Sequence, residues 1–174
     1  MKTIGITGAG SWGTALATVL AGKGHRVRIW DIDERHLRSM EEHRENVDYL
    51  PGVPLDDNIE ITYTTEAALK DADVVLFSAP AQHFREALTS ALEYIGNAAI
   101  VINVAKGIEQ KSLKRMSEIA AEHLDLDRYV VLSGPSHAEE VGRRLPTTVA
   151  AASYDLKAAE AVQDLFMTDR FRVY

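Results

Sequence analysis

No cysteine occurs in the chain, which excludes a disulfide framework, a thiolate zinc site and a cysteine nucleophile together, and fits a reducing cytoplasm. Positive charge is also short: 19 Lys and Arg stand against 26 Asp and Glu, a formal net charge of −7. Neither a nucleic acid nor an anionic membrane surface suits that balance, because both need a basic face. An anionic ligand must instead be held locally, by a few aimed groups. No apolar run reaches the length of a membrane span, and the opening stretch Met1 to Thr7 is too short for a signal peptide before Gly8 breaks it. Internal repeats and low-complexity tracts are missing too, and a cytoplasmic protein is expected.

What is present is an ordinary globular composition, 46% apolar and 26% charged over 174 residues, enough for one domain with a substantial core and short for two. Short apolar runs alternate with stretches of helical periodicity, the pattern of a parallel sheet wrapped by helices. Strands are predicted at Lys2 to Thr7, Arg26 to Asp31, Glu60 to Tyr63, Asp73 to Ser78, Ala99 to Val104, Tyr129 to Ser133 and Arg170 to Tyr174. The runs Val74 to Phe77 and Ile100 to Ile102 are apolar without alternation, as in strands covered on both faces. Helices are predicted at Thr14 to Lys23, Glu34 to His43, Phe84 to Tyr94, Ser112 to His123 and Leu156 to Phe166, the last capped by Asp155. Asn46 to Asn58, with Pro51, Gly52 and Pro54, reads as an irregular surface excursion. The expected fold is α/β of Rossmann type, a doubly wound, mostly parallel sheet with helices on both faces, filling residues 1–174 as one dinucleotide-binding domain.

Gly8-Ala9-Gly10-Ser11-Trp12-Gly13 follows the first strand and opens the first helix, the context that the pattern G-x-G-x-x-G requires. Gly8 suits the tight turn, Gly10 a close approach of pyrophosphate to the backbone, and Gly13 close packing of helix on strand. The amides at the helix start, with the positive end of its dipole, then let an acidic protein hold phosphate. The alternative is a glycine-rich turn with no ligand. Asp31 ends the second strand 18 residues beyond Gly13, where a carboxylate accepts hydrogen bonds from a ribose and repels a 2′-phosphate, so NAD is expected over NADP. Asp31 or Asp33 could instead cap the following helix.

Ligands of open α/β sheets bind beyond the carboxyl ends of the strands. After Ser78-Ala79-Pro80, the ring of Phe84 could pack on a cofactor; packing in the core is the alternative. Lys106, beside Gly107 at the end of another strand, could grip a phosphate or polarise a carbonyl about to receive hydride, or simply be solvated. The loop Ser133 to Val141 offers amides and a hydroxyl for polar substrate atoms. His137 in it suits a general base by type, but with no placed partner it reads as packed or solvent-facing. His36 and His43, seven residues apart among acids, read as a solvated helix face and not as a metal site.

Four segments together resemble the N-terminal half of the bacterial NAD(P)-dependent glycerol-3-phosphate dehydrogenases: Gly8 to Ala17, Asn46 to Pro51, Val104 to Glu109 and Ser133 to Val141. The resemblance runs from Met1 to Tyr174 and implies hydride transfer between NAD(P)H and dihydroxyacetone phosphate, giving sn-glycerol 3-phosphate for glycerophospholipid synthesis. It assigns Ser11 and Trp12 to the cofactor, Lys106 to cofactor and substrate, Gly134 and Ser136 to substrate, Ala138 to the cofactor's border, and Tyr49 to the adenosine side.

Two departures stand against that pattern. Members using NADP often carry basic residues after the tryptophan of the second strand, where this chain has Asp31-Ile32-Asp33. In this family a helical C-terminal domain follows, with the lysine regarded as proton donor and acceptor, and nothing of it is present. The chain, ending inside an apparent strand, is therefore expected to be a fragment that binds dinucleotide and turns over little substrate. The apolar face left exposed makes a homodimer a further expectation. Two other readings use the same cradle: another two-domain NAD(P)-dependent hydroxyacid dehydrogenase, and a non-enzymatic nucleotide-sensing module.

Overall fold

A computed structural model describes residues 1–174. Along the chain run β1 (Thr3–Thr7), α1 (Ser11–Gly22), β2 (Arg26–Trp30), α2 (Glu34–His43), β3 (Ile59–Ile61), α3 (Thr65–Leu69), β4 (Val74–Phe77), α4 (Phe84–Ala91), β5 (Ile100–Asn103), α5 (Met116–Ala120), β6 (Tyr129–Ser133), α6 (Ala138–Gly142), β7 (Thr147–Ser153), α7 (Leu156–Phe166) and β8 (Phe171–Val173). The strands form one sheet in the order β3-β2-β1-β4-β5-β6-β7-β8. Pairing is parallel from β3 to β6, β7 runs antiparallel to β6, and β8 lies parallel to β7. This is the mostly parallel, doubly wound arrangement expected from the alternating pattern.

One core lies on each face. Leu16, Leu20, Leu37, Met40, Val141, Val162 and Phe166 cover one side from α1, α2, α6 and α7. Leu69, Phe84, Leu88, Met116 and Ile119 cover the other from α3, α4 and α5. All four residues of β4 are buried between these layers, which is why its sequence shows no alternation. The chain leaves β1 through α1 to β2 on one side and returns through α3 to β4 on the other side of β1. A crevice therefore opens beyond the carboxyl ends of β1 and β4, the place where such sheets bind ligands.

Several expected boundaries move. Helix α1 begins at Ser11 and not Thr14, directly on the glycine loop. Helix α5 starts only at Met116, because Ile108 and Arg115 pair across a tight reversal in which Leu113 takes a left-handed backbone with φ 59°. Strand β7 and helices α3 and α6 were not anticipated from the sequence. The excursion from Asn46 to Asn58 is irregular as expected but is anchored, with Leu50, Val53 and Leu55 in the core, the first two against Gly142 of α6. Asp155 accepts from the Lys157 amide at the start of α7, the cap that its position suggested.

Candidate functional site

The loop after β1 is built by close approach. Gly8 has φ +100°, and a Cβ there would stand 2.8 Å from the Ser78 carbonyl carbon at the end of β4; its amide donates to the Trp30 carbonyl at 2.8 Å. A Cβ on Gly13 would fall 2.0 Å from the Gly8 carbonyl oxygen, so only glycine lets α1 begin this near the strand. Gly10 differs: a Cβ there meets nothing within 4 Å. No side chain caps α1 and no acid occupies its first turn, whereas Asp33, Thr64 and Asp155 cap α2, α3 and α7. The amides of Gly10, Ser11, Trp12 and Gly13 have no acceptor in the chain. Open space over Gly10 beside a row of free donors fits a diphosphate. Trp12, half-buried, packs on the core with its indole N–H unpaired.

Ala9, fully buried, is held at both polar groups. Its amide donates to Asp31 Oδ2 at 2.7 Å, and its carbonyl accepts from His36 Nε2 at 2.9 Å, Asn46 Nδ2 at 2.8 Å and Thr14 Oγ1 at 3.3 Å. A carbonyl only accepts, so His36 carries its proton on Nε2 here. The reading of His36 as part of a solvated face is therefore corrected: it is 5% exposed and sits under the loop. Its Nδ1 lies 3.4 Å from Asp48 Oδ2, and the Tyr49 ring meets its ring edge-on at 4.8 Å between centroids. Tyr49 itself is 55% exposed, open to a ligand on the β2 side of the crevice. Asp31 also accepts from the Asp33 amide at 3.1 Å, so it braces the loop from the end of β2, the position proposed for a ribose partner. Asp33 caps α2, accepting from the Arg35 and His36 amides.

Across the crevice, Phe84 needs correction. It is 0% exposed, its ring set against Phe77 at 5.7 Å and 83°, because it shares the inward face of α4 with Leu88 and Ala91; it offers no surface to a cofactor. Lys106 is exposed after β5, in a loop held from several sides. The Asn103 side chain bonds both the amide and the carbonyl of Ala105, and Gln82 bonds the Ile108 carbonyl and the Gln110 amide, each at 2.9 Å. Arg85 grips Glu109 at 2.8 and 3.0 Å and also holds Glu122. Those hydrogen bonds keep the Glu109 carboxyl below the usual carboxylate range and push Glu122 down to about 2.

Lys106 Nζ donates to the Gly134 carbonyl at 2.8 Å, joining the loops after β5 and β6. Gly134 is a glycine because a Cβ would stand 2.8 Å from the Val149 Cα of β7. Ser136, half-buried, makes only a long bond of 3.4 Å from its hydroxyl to the Gly134 carbonyl. His137 is exposed and caps nothing, in keeping with the solvent-facing reading. Ala138 opens α6 and is 7% exposed, so little of it can border a ligand. A cavity of about 270 Å³ along the second half of α1, bounded by Lys23, Arg144 and Phe171, contains none of these residues.

Sequence reasoning missed Thr14, His36 and Asn46. A signal existed for His36, which shares the inward face of α2 with Leu37 and Met40. Nothing local marks Asn46 as buried.

Residues 3–159 match the family model described as NAD-dependent glycerol-3-phosphate dehydrogenase N-terminus. The chain is 51% identical over 174 residues to a glycerol-3-phosphate dehydrogenase [NAD(P)+] of Pelotomaculum thermopropionicum, covering 98% of this chain and 50% of that one. Against the Bacillus subtilis enzyme of the same name it is 48% identical, covering 100% of this chain and 51% of that one. A crystal structure of glycerol-3-phosphate dehydrogenase from Coxiella burnetii superposes with a TM-score of 0.93 at 34% identity, over 99% of this chain and 53% of that one. The chain thus spans about half the length of the curated relatives it matches. With the glycine loop, the strand-end lysine and the polar loop all falling inside these matches, the chain belongs to the NAD-dependent glycerol-3-phosphate dehydrogenase family, whose N-terminal portion it carries.

Proposed function

We propose that this chain binds NAD(H) and, with a helical C-terminal domain, interconverts dihydroxyacetone phosphate and sn-glycerol 3-phosphate for glycerophospholipid synthesis in the cytoplasm. The observation that carries the reading is the uncapped start of α1 beside an unobstructed Gly10, at the same sheet edge as Lys106. When bound, the reduced nicotinamide would supply the hydride, and the lysine expected in the C-terminal domain the proton that completes the alcohol. Gly10, Ser11, Trp12 and Gly13 would seat the diphosphate through their free main-chain amides, on the turn that Gly8 permits, with Tyr49 beside the adenosine and Ala138 at the border. Lys106 polarises the ketone oxygen, on which negative charge gathers as the carbon is reduced; a fixed ammonium stabilises that charge without reorganising. Lys106, Gly134 and Ser136 orient the substrate, and Ser136 has hydrogen-bonding capacity to spare.

Asp31 supports NAD over NADP, because its charge stays next to the loop even while it accepts two amides. Exposed Tyr154 and Leu156, neighbours at one end of β7, support self-association of the isolated chain as a homodimer. Calorimetric titration with NAD and NADP tests the cofactor reading. NAD should bind the wild-type chain more tightly, and Asp31→Asn, which keeps an acceptor for the Ala9 amide, should narrow the gap by about tenfold, the scale of one lost charge contact. A wild-type preference for NADP would overturn it. For the reaction, the full-length enzyme should reduce dihydroxyacetone phosphate and not 2-keto acids; the reverse selectivity would favour a hydroxyacid dehydrogenase.

A further inference from the structure

We propose that His36, Asn46 and Thr14 are positioning residues for the dinucleotide, acting through the carbonyl of Ala9. The proposal rests on the dinucleotide-binding reading given above. A trans peptide is planar, and its C=O and N–H point in opposite directions. The carbonyl of Ala9 and the amide of Gly10 belong to one such peptide, and the chain contains no cis bond. Three donors converge on that carbonyl from the core side: His36 Nε2, Asn46 Nδ2 and Thr14 Oγ1. Drawing the oxygen inward turns the Gly10 N–H outward, where it has no acceptor in the chain and where a side chain would meet open space.

The donors are themselves fixed. Asn46 is fully buried and uses its whole amide: Nδ2 also donates to Thr14 Oγ1 at 2.8 Å, and Oδ1 accepts from the Tyr49 amide at 3.0 Å. The Thr14 hydroxyl, accepting from Asn46, keeps its hydrogen for Ala9. His36 is pinned between this carbonyl and the edge-on ring of Tyr49. One buried network thereby ties the phosphate loop to the wall carrying Tyr49, so that both ends of the adenosine diphosphate meet a preset surface. Preset donors bind more tightly than donors that must first be ordered.

The test is NADH affinity of the chain, read by titration calorimetry, for wild type, His36→Phe, His36→Gln and Thr14→Val, with the Gly10 amide followed by nitrogen-15 NMR. His36→Phe keeps a ring against Tyr49 and loses the donor, and His36→Gln restores an N–H. Phe should weaken binding about tenfold, the scale of one lost hydrogen bond, and Gln should stay within about threefold of wild type. Thr14→Val, nearly the same shape, should also weaken binding, and the Gly10 amide should shift less on NADH addition in each weakened variant. Equal weakening by Phe and Gln would assign His36 to packing and overturn the proposal, as would unchanged affinity in Phe and Val. A wild-type chain that bound no NADH would instead overturn the dinucleotide reading beneath it.

Discussion

The loop after β1 and the loop after β6 both sit at the carboxyl edge of the sheet, yet they are finished to different degrees. In the first, Ala9 is bonded at both polar groups, its carbonyl by the buried His36 and Asn46 and its amide by the half-buried Asp31. In the second, His137 is exposed and its side chain has no partner, and the Gly134 carbonyl is held by the exposed Lys106 and by one long bond from the Ser136 hydroxyl. The first loop is rigid in its own right, and what it leaves free is a row of main-chain donors. The second leaves side chains free and takes its form from neighbours, β7 behind it and Lys106 beside it. A surface preset by buried bonds suits a large cofactor shared by many reactions, whereas spare polar groups suit a small substrate completed by other parts of the enzyme.

Gly13→Ala should break the first loop most severely. Alanine is the better helix former, yet its Cβ would stand 2.0 Å from the Gly8 carbonyl oxygen. We expect a stability loss of about 3 kcal/mol in urea unfolding, together with loss of NADH binding. Lys106→Met in the full-length enzyme addresses the second loop, and should lower kcat/KM about a hundredfold while leaving the NADH dissociation constant within about threefold. Equal effects on both would mean that the lysine is part of the cofactor cradle and not of the chemistry.

Gly10→Ala sharpens the contrast within one loop. Its backbone, φ −69° and ψ −174°, admits alanine and the space is open, so stability should change by less than about 0.5 kcal/mol. NADH affinity should nonetheless fall about tenfold, because the methyl group stands where phosphate is proposed to lie.

The smallest effect is expected under the lysine loop. Glu109 and Glu122 are held below their unfolded range by Arg85, so their contribution is complete above about pH 4.3 and lost as the pH falls towards the folded values. The gap in urea midpoint between wild type and Arg85→Met should thus be wider at pH 7 than at pH 3. A gap that did not change with pH would mean that Arg85 acts by packing.

Much of this was legible in the chain. The order β1-α1-β2 and the glycine loop follow from spacing alone, because three glycines between a strand and a helix have few other uses. The place of Lys106 at a strand's end is legible too. Strand β7 was not, since Thr147 to Ser153 has Val149 as its one large apolar residue and takes its form from pairing with β6. That omission hid why Gly134 must be glycine. Phe84 could face crevice or core on sequence alone, which shows its place after a strand and not the turn of its helix. His36 looks outward on sequence because histidine among acids is usually solvated, and the carbonyl it meets comes from a residue 27 positions earlier. Asn46 is invisible for the same reason: its partners, Ala9 and Thr14, are distant in sequence.

Everything proposed for the crevice requires the main-chain amides of Gly10 to Gly13 to receive a diphosphate. Nitrogen-15 NMR of the chain titrated with NADH tests it directly. The largest saturable shifts should fall on the amides of Gly10, Ser11, Trp12 and Gly13, with smaller ones at Asp31 and Tyr49. Saturable binding whose shifts centre elsewhere, for instance on the cavity beside Lys23 and Arg144, would contradict it.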